Sequence, residues 1–418
     1  MRDNAILMVM PYEQYVRKAG EAGFEVHSIW DPSYMPEEYV AKVGSIAKTQ
    51  TLLDFTDEDR LRSTVRELAR RHDVAHVLHL GKESTQTIVC EEAQRLGLAL
   101  NRPESLTLVN DKAETRKLLA RIGLSPVRCV AFDRAEDVRT EFPAIVKPTR
   151  LDGSRFVRLV TNDDELTAWK RAYQGPALAE EPLLGPEFSV EVLTVRGQHH
   201  VIGVTAKELL PPPGFVEAGH LHPATLPDHH RAAMIEMVTK FLDATGYTFG
   251  PTHTEVILTG DGPRIVESQT RIGGDLIQLC IEIATGFDVE SAVFTALLGK
   301  PVEIGPATRT GRVAFFRFPP GVLDRVDGLD EIRALEFVRE LRFPFEPGQE
   351  LPEPKDSSTR HGLVVVSAAD PEEAQRHIDE VRGLLKVRVD GKDETWTNTG
   401  PISSSGAPSW TEAANGDE

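Results

Sequence analysis

A chain of 418 residues, 40% hydrophobic and 27% charged, has the make-up of a globular protein and the length for about two to four domains with buried cores. Its formal net charge of -18, with no Lys/Arg cluster to offset it, excludes nucleic acid and anionic membrane surfaces as non-specific partners. Cys90, Cys129 and Cys280 form neither a disulfide framework nor a zinc spacing, the start lacks a secretory signal, and no run of ~18 apolar residues is present, so a cytoplasmic protein is expected.

In chain order, Ala5 to Met10 is a buried-strand pattern, Glu13 to Ala22 a short helix closed by Gly23, and Glu25 to Trp30 a second strand. This β-α-β opening predicts a parallel sheet. A helix from Glu58 to Arg71, a strand Val74 to Leu80, a helix from about Thr85 to Leu96 and a short strand Leu98-Ala99-Leu100 extend it. No Gly-x-Gly-x-x-Gly follows the first strand, so the dinucleotide fingerprint is absent. Gly81-Lys82-Glu83-Ser84 stands where a strand hands over to a helix, the usual ligand edge of such a sheet, although a plain N-cap turn reads the same. Asn101-Arg102-Pro103 breaks the pattern and marks a boundary.

Asn110 or Asp111 then caps a helix to Ile122, with Lys112 in its first turn. A cation there faces the positive end of the helix dipole and calls for an anionic partner. Phe142 to Lys147 and Phe156 to Val160 are strands around a Gly/Ser-tipped loop, suited to folding over phosphates, with Lys147 at its root. Ala177 to Leu184 and Phe188 to Val195 form a strand pair, and Glu187 at its turn either accepts ribose hydroxyls or sits in solvent. Lys207 leads into Pro211-Pro212-Pro213-Gly214, a stretch fit for a lid. A helix from His229 to Ala244, helices Leu276 to Thr285 and Val289 to Leu298, and a second boundary at Pro301 follow. Beyond it lies a compact α+β lobe, and after Lys392 a Ser, Thr, Gly and Asn-rich tail with no core-forming content.

The sharpest signal lies between Phe249 and Asp275. Thr252 to Leu258 and Arg264 to Gln269 are β-rich runs around Thr259-Gly260-Asp261-Gly262-Pro263, which predicts a hairpin with a loop of about five residues. With Leu258 opposite Arg264, Glu255 faces Glu267 and His253 faces Gln269. Facing carboxylates destabilise a sheet unless they share a proton or bind a cation. Mg²⁺ is commonly held by one or two carboxylates plus substrate phosphates. Arg271, opening Arg-Ile-Gly-Gly-Asp, suits a transferring phosphate or a carboxylate. A hairpin with a solvated acidic face carries the same pattern.

Lys112 in a helix, Lys147 before a Gly/Ser loop, Glu180-Glu181-Pro182-Leu183 followed by Glu187, and then Glu255, Glu267 and Arg271 stand in an order that resembles the ATP-grasp superfamily over nearly all of the chain up to the tail. Lys207 with Pro211 to His220, and His253 to Asp275, are similar to the L-amino acid ligases, the bacilysin-synthetase type of dipeptide-forming enzyme. The resemblance implies a mixed α/β and α+β architecture. An N-terminal Rossmann-like parallel-sheet domain would span 1–104, central and catalytic nucleotide-clamping lobes 105–300, a C-terminal α+β lobe 301–392 and a disordered tail 393–418. It implies ATP and Mg²⁺, with Mn²⁺ as a substitute. Lys112, Lys147 and Ser154 would meet the phosphates, Glu180, Glu181 and Leu183 the adenine, and Glu187 the ribose. Glu255, Glu267 and Gln269 would ligate the metal, and Arg271 would steady the transferring phosphoryl group. Glu217 and His220 would form the amino-acid pocket and supply a base, with Glu83, Gly274 and Asp275 beside the substrate.

Three positions depart from the family's pattern: Gln269 where Asn is usual, Phe156 where a Gly follows the Ser-Arg pair, and Asp275 where a pocket-filling residue is common. An acid at 275 points to a polar or cationic substrate side chain. The implied reaction is ADP-forming: ATP activates a carboxylate as an acyl phosphate, and an amine or amino acid attacks it, in dipeptide or specialised-metabolite synthesis. Small-molecule acids and amines are the expected partners, and a homodimer is compatible with the sequence. Carboxylation through carboxyphosphate, formate-dependent transfer and non-catalytic nucleotide binding are the alternatives on the same fold.

Overall fold

The structure, a computed structural model, describes residues 4–151, 153–209 and 216–396; the expected lid residues 211–214 and the tail beyond 396 lie outside the described residues. The N-terminal unit is a four-stranded parallel sheet ordered Thr49–Leu52, Glu25–Trp30, Ala5–Val9, His76–Leu78. All of Ala5–Val9 is buried, as a parallel strand covered by helices on both faces must be. Helix Glu37–Ile46 and strand Thr49–Leu52 extend the sheet on one side, an addition the sequence reading missed. Leu98-Ala99-Leu100, expected to extend it on the other, forms no strand. There Asn101 ties the chain to the start of strand Phe249–Thr259 instead, donating to Phe249 O at 2.7 Å and accepting from Thr248 N at 2.9 Å. Pro103, read as a break, is the first residue of helix Pro103–Asn110, where its missing N–H has no partner to lose.

Helix Lys112–Arg121 begins at Asp111, whose carboxylate caps Ala113 N and Glu114 N. A central lobe follows, a four-stranded antiparallel sheet ordered Cys129–Phe132, Ala177–Glu180, Ala144–Pro148, Arg158–Val160, packed with helix Asp163–Ala172 around Val146, Leu166 and Trp169. The body is an eight-stranded sheet ordered Gly262–Gln269, Phe249–Thr259, Glu187–Val195, Gln198–Leu209, Glu217–His222, Thr310–Phe315, Leu363–Ala368, Val338–Arg342. The boundary expected at residue 301 therefore does not divide the sheet. His220 pairs with Val313, and one core runs from Val190 and Phe241 to Val364 and Ile378. Without Thr310–Phe315, the buried Glu217–His222 strand would leave a row of unpaired backbone groups.

The start of the expected tail is also ordered. Lys392–Glu394 pairs with Lys386–Val389, and Trp396 is 2% exposed with its Nε1 donating to Phe315 O at 2.8 Å. One indole buries enough apolar area to dock a polar segment whose composition alone reads as disordered. No helix among the described residues is long and apolar enough to cross a membrane.

Candidate active site

The acidic hairpin turns at Gly260-Asp261 rather than through five residues: Thr259 pairs with Gly262 and Leu258 with Pro263. Carried inward, that register would set Glu255 opposite Val266 and turn Glu267 to the other face. A β-bulge beside Val256 absorbs the offset with Val266 as the extra residue, so that Glu255 pairs with Glu267 and His253 with Gln269. The bulged backbone also presents its carbonyls. Arg116 donates to Ile265 O at 2.6 Å and Val266 O at 3.3 Å, and Lys147 Nζ to Val266 O at 3.4 Å.

Both glutamates line a cavity of about 1150 Å³ enclosed by all the lobes. Lys112 Nζ lies 2.9 Å from Glu267 Oε2 and donates to Leu151 O at 2.8 Å, the anionic partner its place in the helix called for. Burial alone would lower the Lys112 pKa, but Glu267 lifts it above the ordinary lysine value. Glu180 is gripped by Arg116 at 2.6 Å and Lys147 at 2.7 Å. Burial pushes its carboxyl up, but those two cations outweigh burial and hold it at about 2. Its oxygens thus face Arg116 and Lys147, and Glu181 is held by Arg128 at 2.8 Å.

Lys207 Nζ stands 2.5 Å from Glu187 and 2.7 Å from Glu255. One ammonium does not neutralise two buried carboxylates. Burial, countered only in part by Lys207 and reinforced by Glu255, pushes Glu187 up to about 7. Burial would also raise Glu255, but Lys207 and His253 hold it well below the carboxylate range, so Glu255 is the ionised member. His253 bridges Glu191 at 2.7 Å and Glu255 at 3.4 Å. Burial lowers the imidazole, yet these acids raise it to about 9.

Gln269 Nε2 donates to Glu267 Oε1, while its own Oε1 is buried with no hydrogen-bond partner. Two facing carboxylates and an orphaned amide oxygen form an all-oxygen set that fits a hard divalent ion such as Mg²⁺. Among the described residues no group of three or more His, Cys, Asp or Glu could hold a metal, so phosphate and water oxygens would complete the shell.

At the other end of the cavity, Arg271 Nε donates to Glu83 at 2.5 Å. Asp275 and Leu276 both adopt left-handed backbone, φ 57° and 61°, which stores strain in non-glycine residues. Asp275 accepts from Arg360 at 2.9 and 2.5 Å and meets His220 Nε2 at 3.1 Å. Burial raises Asp275, but His220 and Arg360 hold it far below its ordinary value. Glu217 accepts from Ser357 Oγ at 3.0 Å, and Ser357 N reaches Gly153 O at 3.4 Å, joining this end to the Gly/Ser loop. Within that loop Ser154 and Phe156 are left-handed, φ 58° and 59°. Phe156 holds this conformation with its ring tilted against Tyr173, centroids 5.4 Å apart, while Trp169 donates to its carbonyl at 2.6 Å.

Every residue singled out for the site lines this cavity except Lys112, whose ammonium is taken by Glu267 and Leu151. Sequence reasoning missed Arg116, although it lies one helical turn beyond Lys112 on the same face and could have been found that way. Lys207 and His253 carried no assigned role, though each sits in a strand with its side chain buried among acids. Arg360 and Ser357 belong to a Pro- and Ser-rich turn with no pattern to announce them.

Residues 140–278 match the ATP-grasp domain family, and residues 314–390 match the family described as L-amino acid ligase C-terminal domain 2. The uncharacterized protein y4rH of Sinorhizobium fredii is 27% identical over 372 residues, covering 82% of this chain and 75% of that protein. Carnosine synthase 1 of Homo sapiens is 25% identical over 312 residues, 67% of this chain but only 37% of the human protein. In three dimensions an L-amino acid ligase from Bacillus licheniformis has the same fold: TM-score 0.80, 24% identity, 93% of this chain and all 100% of that one.

Proposed function

We propose that this chain, which carries an ATP-grasp domain and the second C-terminal domain of the L-amino acid ligases, is an ADP-forming carboxylate–amine ligase that joins an amino acid or related acid to an amine or a second amino acid. The observation that supports it is the Glu255–Glu267 pair with the orphaned Gln269 oxygen, set in a cavity that also presents Lys147, Lys207 and Arg271. A carboxylate is a poor electrophile because amide formation would expel oxide. Transfer of the ATP γ-phosphoryl group to it gives an acyl phosphate and ADP. The amine nitrogen then attacks the acyl carbon, the carbon–oxygen bond to phosphate breaks, and inorganic phosphate leaves.

Magnesium, or manganese in its place, would supply neutralisation of the triphosphate charge from Glu255, Glu267 and Gln269. Lys112 and Lys147 hold cationic charge at the phosphate end, beneath the loop that carries Ser154. The segment Glu180 to Leu183 walls the adenine end, where the backbone is the part of Glu180 left to bind. Glu187, protonated up to about pH 7, can donate as well as accept at a ribose hydroxyl. Arg271, steered by Glu83, stabilises the transferring phosphoryl oxygens. Glu217 or His220 takes the proton the attacking amine loses, and Gly274 leaves room for the acid beside them. Enclosure by the lobes keeps water from the acyl phosphate.

Purified protein with ATP and Mg²⁺ should release ADP and phosphate only when acid and amine are both supplied. Formation of AMP and pyrophosphate, or ADP release driven by bicarbonate or formate alone, would overturn this reading. Tight nucleotide binding without turnover across a broad panel of acids and amines would establish a non-catalytic role instead.

A further inference from the structure

An acid at position 275 points, from sequence, to a polar or cationic substrate side chain. The structure cancels that charge. Asp275 receives two N–H groups of Arg360, one on each oxygen, and a third contact from His220, and Arg360 comes from 85 residues further along the chain. The guanidinium lies over the Phe315 ring at 3.7 Å from its centroid, and only 11% of the Arg360 side chain is exposed. Neither partner presents an uncompensated charge to the cavity.

Glu217 is different. Ser357 donates to Oε2, but the nearest cations stand off, Arg360 at 3.6 Å from Oε2 and Lys207 at 3.8 Å from Oε1, while Lys207 is drawn to Glu187 and Glu255. This end of the cavity therefore has residual negative charge for one ammonium group, beside a balanced ion pair.

We propose that the Asp275–Arg360 pair is a charge filter, which restricts the amino-acid substrate seated at Glu217 to those with uncharged side chains; the inference rests on the ligase reading above. A cationic side chain could reach Asp275 only by displacing Arg360, leaving its guanidinium against Phe315 with Glu217, the carboxylate the substrate ammonium needs, as the remaining counter-ion at 3.6 Å. An anionic one could reach Arg360 only by displacing Asp275 toward Glu217, carboxylate against carboxylate. Each parts one member of a buried pair from its partner, which is the strongly unfavourable way to break it. A neutral side chain leaves the pair intact and packs on the apolar wall of Leu276, Phe315 and Leu363. The filter thus acts by penalising the wrong substrates, and Arg360 is its specificity residue.

The test measures ADP release by the full chain with glycine, alanine, methionine and phenylalanine against lysine, arginine, aspartate and glutamate, each with a common amine acceptor. The wild type should favour the neutral set by roughly a hundredfold in kcat/KM. Arg360→Met, which uncovers Asp275, should move the preference at least about tenfold toward lysine and arginine, with ATP–Mg²⁺ affinity by calorimetry reporting an intact fold. Should that variant lose nucleotide binding, Asp275→Asn is the second: it leaves Arg360 with only the longer 3.6 Å contact to Glu217 and should shift preference toward aspartate and glutamate. Equal use of charged and neutral acids by the wild type, or an unmoved ratio in a variant that binds ATP–Mg²⁺, overturns the filter and leaves the ligase reading standing. No ADP release with any acid and amine overturns both.

Discussion

Glu187 and His253 flank the same ionised Glu255 and titrate in different windows. Glu187 is raised from 4.5 to about 7, so the native state keeps a proton that the unfolded chain gives up, and stability falls as pH rises from 4.5 to about 7. His253 is raised from 6.5 to about 9; its contribution is fully present below 6.5 and is lost as pH rises through about 9. The melting temperature without nucleotide should therefore decline in two steps, the first absent in Glu187→Gln and the second in His253→Gln. A pH profile identical in wild type and variants would count against these protonation states. At the acidic hairpin, under the proposed metal role, Glu267→Ala should abolish metal-dependent ADP release while circular dichroism shows the fold retained, since Glu267 is only partly buried and Lys112 keeps the Leu151 carbonyl. Unchanged kcat would refute Glu267 as a metal ligand. The residue types for all this were legible in consecutive letters. Their pKa values were not, because each is set by groups tens of residues away.

The hairpin shows how an element can be read correctly in outcome and incorrectly in construction. Facing Glu255 and Glu267 follow from a five-residue loop, but the loop is a two-residue turn and the pairing is restored by the bulge at Val266. Turn residues announce a turn; a bulge inside a strand has no comparable signature, since it is imposed by what its carbonyls and flanking side chains meet. Here they meet Arg116, which joins helix Lys112–Arg121 to Glu180 and to the bulged strand. Arg116→Ala leaves buried Glu180 with one cation and takes the side-chain donor from the Ile265 carbonyl, while Val266 keeps only Lys147. It should cost about 3–5 kcal/mol in urea denaturation, the range for breaking a buried pair from one side. A loss under about 1 kcal/mol, the scale of an exposed pair, would show that the bulge holds itself.

At the scale of the molecule, the cavity exists because separate units are tied together. Lys18 of the N-terminal unit bonds Asp288 and Glu290 at 2.7 Å each, and Gln86, Asn110 and Thr270 share one hydrogen-bond network beneath Arg271. The C-terminal strands complete the central sheet and deliver Arg360 to the cavity, and Trp396 packs beneath them at 4.8 Å from Phe316. Trp396→Ala should therefore destabilise the whole sheet by about 3–5 kcal/mol, read as one cooperative transition. An unchanged melting temperature would mean that the residue docks without supporting the core.

From the sequence by itself came the parallel-sheet opening, the order of lysines and acids, the facing glutamates and the likeness to ATP-grasp ligases, because periodicity, turn chemistry and side-chain type are written locally. Tertiary structure alone decided which charges remain for a ligand: Glu180 is neutralised by Arg116 and Lys147, Glu187 shares Lys207 with Glu255, and Asp275 is closed by Arg360. A buried charge takes its free energy from whatever lies within a few ångströms, and in this chain those neighbours come from distant segments.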